Sequence, residues 1–148
     1  MSVVRRAEAV WHGDLMSGNG EVSAASSGAF TGLPVSWAAR SDQPGGKTSP
    51  EELVAAAHAS CFCMALSAGL GGAGTPPERL SVSAEVAFAP KEGGGFFVKS
   101  SALRVAGRVP GIDQSTFAEA AEGAKDGCPI SGAMKGNVDL SVEATLEQ

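Results

Sequence analysis

The sequence has no tyrosine, and Trp and Phe bring its aromatic share to only 5%. A stacking platform for bases or sugars therefore has little to build on. Charge is scarce as well. Charged residues make up 18%, and 11 basic against 16 acidic side chains leave a net charge of −5, which excludes a broad basic footprint for nucleic acid. Three cysteines are too few, and of the wrong parity, for a secreted disulfide scaffold. Behind Arg5 and Arg6 no apolar stretch follows, so no signal peptide is read and a reducing, cytoplasmic setting is expected.

What is present suits one folded domain. A chain of 148 residues with 43% hydrophobic residues can bury a core, and a single domain over residues 1–148 is expected. Twenty glycines and eight prolines imply turn-rich connections. Leu53 to Pro77 carries no Lys, Arg, Asp or Glu and is long enough to span a bilayer. It is mostly Ala, Gly and Ser, interrupted by His58, Cys61 and Cys63, so it would gain little from lipid. The expectation is a central core helix, buried on every side, and no membrane partner.

Patterning sets out the elements. Val3–Trp11, Glu21–Ala25 and Leu33–Ala39 read as strands separated by Gly- and Pro-rich turns. Ser49-Pro50-Glu51-Glu52 forms a capping box, with Pro at the first helical position, and opens a helix to about Leu70. Leu80–Ala89 alternates as a strand, and Gly93-Gly94-Gly95 turns into a second strand, Phe96–Val109. A helix is expected from about Gln114 to Asp126, closed by Gly127 as a left-handed cap. Pro129 lets Cys128 cap a short helix, and Asn137–Leu146 alternates as the last strand. The order β-β-β-α-β-β-α-α-β points to an α+β fold, with antiparallel hairpins covering one long apolar helix.

Cys61 lies about three turns into that helix, where a thiol can be no more than a small hydrophobe. Two features add chemistry. Cys128 stands at a helix N-terminus, where amides and dipole favour thiolate. Arg40, isolated in a charge-poor sequence, could stabilise such a thiolate. Cys63 points about 200° around the helix from Cys61 and reads as core packing. Glu51 and Glu52 serve first as cap and dipole residues. Ten residues of helix put Glu51 about 15 Å from Cys61, so a site using both needs Glu51 from a second copy. The Ala-rich faces would let two such helices pack closely as a homodimer. His58 shares a face with Cys61, and with Cys128 and His12 it forms a rival zinc constellation, without any C-x-x-C or H-x-x-x-H pair. The Gly-rich segments match no phosphate-cradling motif.

Thr48-Ser49-Pro50-Glu51-Glu52-Leu53, then Ala56-Ala57-His58-Ala59-Ser60-Cys61-Phe62 and Met64-Ala65-Leu66-Ser67, resembles the osmotically inducible protein C family, OsmC. The runs Val109-Pro110-Gly111-Ile112-Asp113 and Gly127-Cys128-Pro129-Ile130-Ser131 are similar to it too, as is Trp11-His12-Gly13-Asp14. In the related organic hydroperoxide resistance branch the arginine lies near the N-terminus. Here Arg40 stands 21 residues before Cys61, which favours the OsmC branch. One departure is Cys63, where the family usually has Ser.

The resemblance implies an OsmC-like, intertwined homodimer whose strands wrap two central helices, with active sites at the interface. It implies a cysteine-based peroxidase that reduces organic hydroperoxides, and hydrogen peroxide as a further substrate. Cys61 would be the peroxidatic thiol and Cys128 the resolving one. Arg40 would stabilise the thiolate and orient the peroxide, and Glu51 would hold Arg40. The resulting Cys61–Cys128 disulfide would be recycled by an external dithiol, with no cofactor and no metal. The competing expectations are a non-catalytic thiol redox sensor and a metal protein built on His58, Cys61 and Cys128.

Overall fold

The computed structural model describes residues 1–148, which form two compact units, Met1–Leu53 and Val54–Gln148. In the first, β1 (Glu8–His12), β2 (Asn19–Ser23) and β3 (Leu33–Val35) make an antiparallel sheet in the order β1-β2-β3. Gly20 pairs with Trp11 on one side and Val35 on the other. A Cβ on Gly20 would come within 2.7 Å of the Trp11 ring, so the close approach of that indole requires glycine. Val3 and Val4, expected in the first strand, lie outside it and are exposed.

The expected third strand, Leu33–Ala39, divides in two. Only Leu33–Val35 is extended; Trp37–Ser41 turns into a short helix, α1. Ser36 is the cause. Its Oγ accepts a hydrogen bond from the Ala39 amide at 3.1 Å, satisfying one of the orphan donors of a helix start.

The long helix α2 runs Pro50–Gly72, its first residues in the first unit and the rest in the second. The Glu52 amide donates to Ser49 Oγ at 3.1 Å, as the capping box requires. The Glu52 carboxylate departs from the box and accepts from the Thr48 hydroxyl at 2.8 Å.

In the second unit, β4 (Arg79–Pro90), β5 (Phe96–Arg108) and β6 (Asp139–Leu146) form a sheet in the order β4-β5-β6. β4 and β5 are an antiparallel hairpin with a bulge at Ala87/Phe88. β5 and β6 run parallel from Ser100↔Asp139 to Gly107↔Leu146, which the expected all-antiparallel arrangement did not include. Parallel neighbours need a crossover. Here it consists of α3 (Gln114–Gly127) and α4 (Pro129–Met134). Asp113 caps α3 by accepting from the Thr116 amide at 2.8 Å. Gly127 does not adopt the left-handed conformation; it ends the helix itself, and the Cys128 amide closes the last turn on the Ala124 carbonyl at 2.9 Å.

The core of this unit joins Phe62, Leu66 and Leu70 of α2 to Leu103 and Val105 of β5 and to Phe117, Ala121 and Ala124 of α3. Full burial of side chains like Phe62 and Leu66 contributes roughly 1.5–3 kcal/mol each. Phe117 lies directly over Gly107, where any Cβ would strike the ring. Within the chain α2 is not buried on every side. His58, Phe62, Leu66 and Leu70, four residues apart, form its buried face, while Ala57, Ser60, Met64 and Ser67 are exposed, Met64 at 71%.

Candidate active site

In the first unit, α1 delivers Arg40 in its last turn, and the first turn of α2 delivers Glu51. Arg40 Nε donates to both carboxylate oxygens of Glu51 at 3.1 Å, and Nη2 donates to Oε1 at 2.8 Å. The Glu51 side chain is nearly buried and the Arg40 side chain is 34% exposed. Such a fork fixes the plane of the arginine. Beside it, a cavity of about 380 Å³ is lined by Trp11, Leu15, Val35, Trp37, Pro50 and Arg40. It is an apolar recess with one cation at its wall.

In the second unit, Cys61 of α2 and Cys128 at the start of α4 bring their sulfurs within 2.9 Å. In the fully protonated pair Cys128 Sγ donates to Cys61 Sγ. Burial pushes the Cys61 thiol up, and the contact with Cys128 adds to that, partly offset by the Ile130 amide. Burial also works to raise Cys128, but the Cys61 sulfur, the Ser131 amide and hydroxyl and the Ile130 amide outweigh it, and its pKa falls. Inside this unit Cys128 is thus the easier thiol to ionise. The Ser131 and Ile130 amides lie among the causes that lower it, while the Cys128 side chain makes no capping hydrogen bond. Cys63 is half-buried and pushed up by burial, without a thiol partner.

His58 does not join the thiols as a metal ligand. Its Nδ1 faces Ser101 Oγ at 2.6 Å and its Nε2 faces Ser131 Oγ at 2.8 Å, so both nitrogens are engaged by hydroxyls. No group of three or more His, Cys, Asp or Glu side chains is arranged to hold a metal ion. Ser101 and Ser131 were not singled out from sequence. The signal for Ser101 was there: it holds an inward position in the β5 alternation otherwise filled by Leu103 and Val105, and a polar residue in such a register needs a partner.

Two adjacent thiols on a long helix and a crossover cap, with a separate arginine–carboxylate fork, define a thiol-redox class of α+β protein. Residues 43–143 match the OsmC-like protein family. The chain is 40% identical to Peroxiredoxin OsmC of Escherichia coli (strain K12) over 143 residues, covering 97% of this chain and 98% of that one. It is 33% identical over 103 residues to an organic hydroperoxide resistance protein of Xanthomonas axonopodis pv. citri (strain 306), covering 66% and 67%. The crystal structure of the organic hydroperoxide resistance protein OhrB of Bacillus subtilis superposes with a TM-score of 0.72 at 25% identity, over 95% of this chain and 98% of that one. The chain belongs to the OsmC-like family.

Proposed function

We propose that this protein is a thiol peroxidase that reduces organic hydroperoxides to alcohols, with Cys61 as the peroxidatic thiol and Cys128 as the resolving one. The observation that carries the reading is the 2.9 Å approach of the two sulfurs, Cys61 in mid-helix and Cys128 at a helix start. The names of the Escherichia coli and Xanthomonas relatives support the class of substrate.

The Cys61 thiolate attacks the terminal oxygen of R–O–OH. The O–O bond breaks, RO⁻ leaves and takes a proton as the alcohol, and Cys61 becomes a sulfenic acid. Condensation with the Cys128 thiol gives a disulfide and water, which blocks further oxidation. An external dithiol then takes the disulfide back to two thiols.

Inside its own unit Cys61 is the harder thiol to ionise. The first step therefore needs a cation, and Arg40 is the one whose carboxylate partner is nearly buried. Glu51 and Cys61 stand ten residues apart on α2, about 15 Å of rise, so the fork does not reach Cys61 along its own helix. A homodimer resolves this: Arg40 and Glu51 of one protomer face the partner's Cys61 and Cys128. The exposed stripe Ala57, Ser60, Met64 and Ser67 is the surface such a dimer would cover. The apolar recess beside Arg40 would take the R group of the peroxide, its O–O bond directed at the guanidinium.

The test is intact-mass spectrometry after one equivalent of cumene hydroperoxide. Loss of two hydrogens mapped to Cys61 and Cys128 is expected in the wild type, and added oxygen on Cys61 in Cys128→Ser. Thiols that stay reduced in both would end the peroxidase reading.

A further inference from the structure

His58 is fully buried, as is Ser101, and Ser131 is 2% exposed. The imidazole of α2 meets Ser101 Oγ of β5 at 2.6 Å and Ser131 Oγ of α4 at 2.8 Å, so one ring joins three elements of the second unit. A neutral ring carries one N–H, and a serine hydroxyl can donate or accept, so both bonds form in either tautomer. Two serines and a histidine in a core are costly to bury unless every polar atom is bonded, and here none is left without a partner. Their spacing along the chain adds a second relationship. His58 stands three residues before Cys61 on α2, and Ser131 three residues after Cys128 at the start of α4. The two helices are therefore joined by two rungs, His58 to Ser131 and Cys61 to Cys128, about 4.5 Å apart along α2. Nothing in the peroxide chemistry above uses the first rung.

We propose that His58 is the positioning residue of disulfide closure: braced by Ser101, it grips Ser131 and so holds Cys128 beside Cys61. Up to the Cys128 amide, which closes the last turn of α3 on Ala124, the chain is fixed by α3. Beyond that point α4 has six residues, and Ser131 is the one that is buried. Pro129, Gly132 and Ala133 are exposed, and Ile130 and Met134 are half-buried. With no fully buried apolar side chain to seat this helix, its place depends on the bond to His58. The imidazole in turn cannot swing away, because Ser101 holds Nδ1 and the ring lies on the buried face of α2 with Phe62 and Leu66. The proposal rests on the peroxidase reading and names what places its second thiol.

The step it serves balances within the site. Cys128 Sγ attacks the Cys61 sulfenic sulfur, the S–O bond breaks as the S–S bond forms, and the Cys128 proton leaves with the hydroxyl as water. The competing reaction is with a second peroxide, which takes the sulfenic acid to sulfinic acid. Which of the two wins depends on the effective concentration of Cys128 at Cys61, and holding reactants in place is what raises that quantity. The same effective concentration sets the equilibrium between dithiol and disulfide, so the clamp can be measured without peroxide.

The test is equilibration with oxidised and reduced glutathione in a Cys63→Ser background. Two protein thiols give their hydrogens to one oxidised glutathione, which leaves as two thiols. In Ser131→Ala the ratio of disulfide to dithiol at a fixed glutathione poise should fall on the order of tenfold, the upper range for one net hydrogen bond. That moves the potential about 30 mV toward the oxidising side. Ser131→Thr, which keeps the hydroxyl, should return to the parent ratio. In a His58→Met protein, where the volume of the ring is filled without its nitrogens, adding Ser131→Ala should change nothing further. With excess cumene hydroperoxide, disulfide against Cys61 sulfinic acid should fall in Ser131→Ala by the same order. A loss of stability shared by the oxidised and reduced forms leaves the glutathione ratio unmoved, so a merely structural Ser131 is told apart. A folded Ser131→Ala protein with the parent ratio overturns the proposal, as does an equal loss with and without His58. Should peroxide leave wild-type Cys61 reduced, the peroxidase reading fails by itself, while the glutathione equilibrium still decides the clamp.

Discussion

Arg40 holds Glu51 through two nitrogens, Nη2 at 2.8 Å and Nε at 3.1 Å, while its side chain as a whole stays 34% exposed. Arg40→Ala should slow the peroxide step on the order of 10²-fold, the usual loss for one electrostatic donor at a reacting oxygen. Arg40→Lys should recover little of it, since an ammonium cannot reproduce the planar fork. Stopped-flow oxidation of reduced protein at several peroxide concentrations reads both.

Glu51→Gln tests the carboxylate separately. An amide keeps the size of the side chain and one acceptor, so the fold should survive while the guanidinium loses its charge-assisted fork. The expected result is a slower peroxide step with the closure of the disulfide unaltered. Equal slowing of both steps would assign Glu51 a structural role only.

The core prediction concerns Phe117, fully buried over Gly107. Phe117→Ala should cost about 3–5 kcal/mol, the range for deleting a buried aromatic ring. Gly107→Val should destabilise through direct overlap with the same ring. Urea unfolding of the reduced protein measures each.

Acid should loosen the second unit through His58. Burial lowers its pKa in the folded chain below the ordinary value of 6.5, so folding favours the neutral ring. The stability this gives is complete above that value. As the pH falls below it, the unfolded chain takes up a proton that the folded chain refuses, and stability declines toward the lower folded pKa. The urea midpoint should therefore drop between pH 7.5 and 5.5, and the drop should shrink in His58→Gln. A pH response identical in both proteins would contradict this.

Met64 offers a test of assembly. Its side chain is 71% exposed on the uncovered face of α2. Met64→Asp should lower the sedimentation coefficient to that of a monomer and, with it, the rate of the peroxide step. A monomeric wild type with full activity would remove the shared-site arrangement.

How much of this was legible in the sequence depended on the range of the forces involved. Capping chemistry is local, so Ser49 before α2, Asp113 before α3 and Pro129 in α4 could be read directly. Ser36 carried the same kind of signal and was masked by the apolar run on either side, which reads as strand. The parallel pairing of β5 with β6 is a long-range choice that alternation along one strand does not encode. The burial of α2 was over-read, because an all-apolar composition says that every face wants cover, not that one chain supplies it. At the site, the two thiols stood out by residue type, and the structure brings them together. His58 also stood out, yet its partners are serines 43 and 73 residues away, which no spacing rule links.

The crossover that carries Cys128 back to α2 also sets a redox balance. A Cys61–Cys128 bond would close a loop of 67 residues, and a loop of that length constrains the unfolded chain by about 4 kcal/mol. Linkage makes this symmetrical: whatever the bond adds to folding, folding adds to the bond. The folded chain would therefore hold its disulfide at a potential on the order of 90 mV more reducing than the same cysteines in the unfolded chain. The oxidised protein should melt later than the reduced one, so a melting curve alone reports which half of the cycle it occupies.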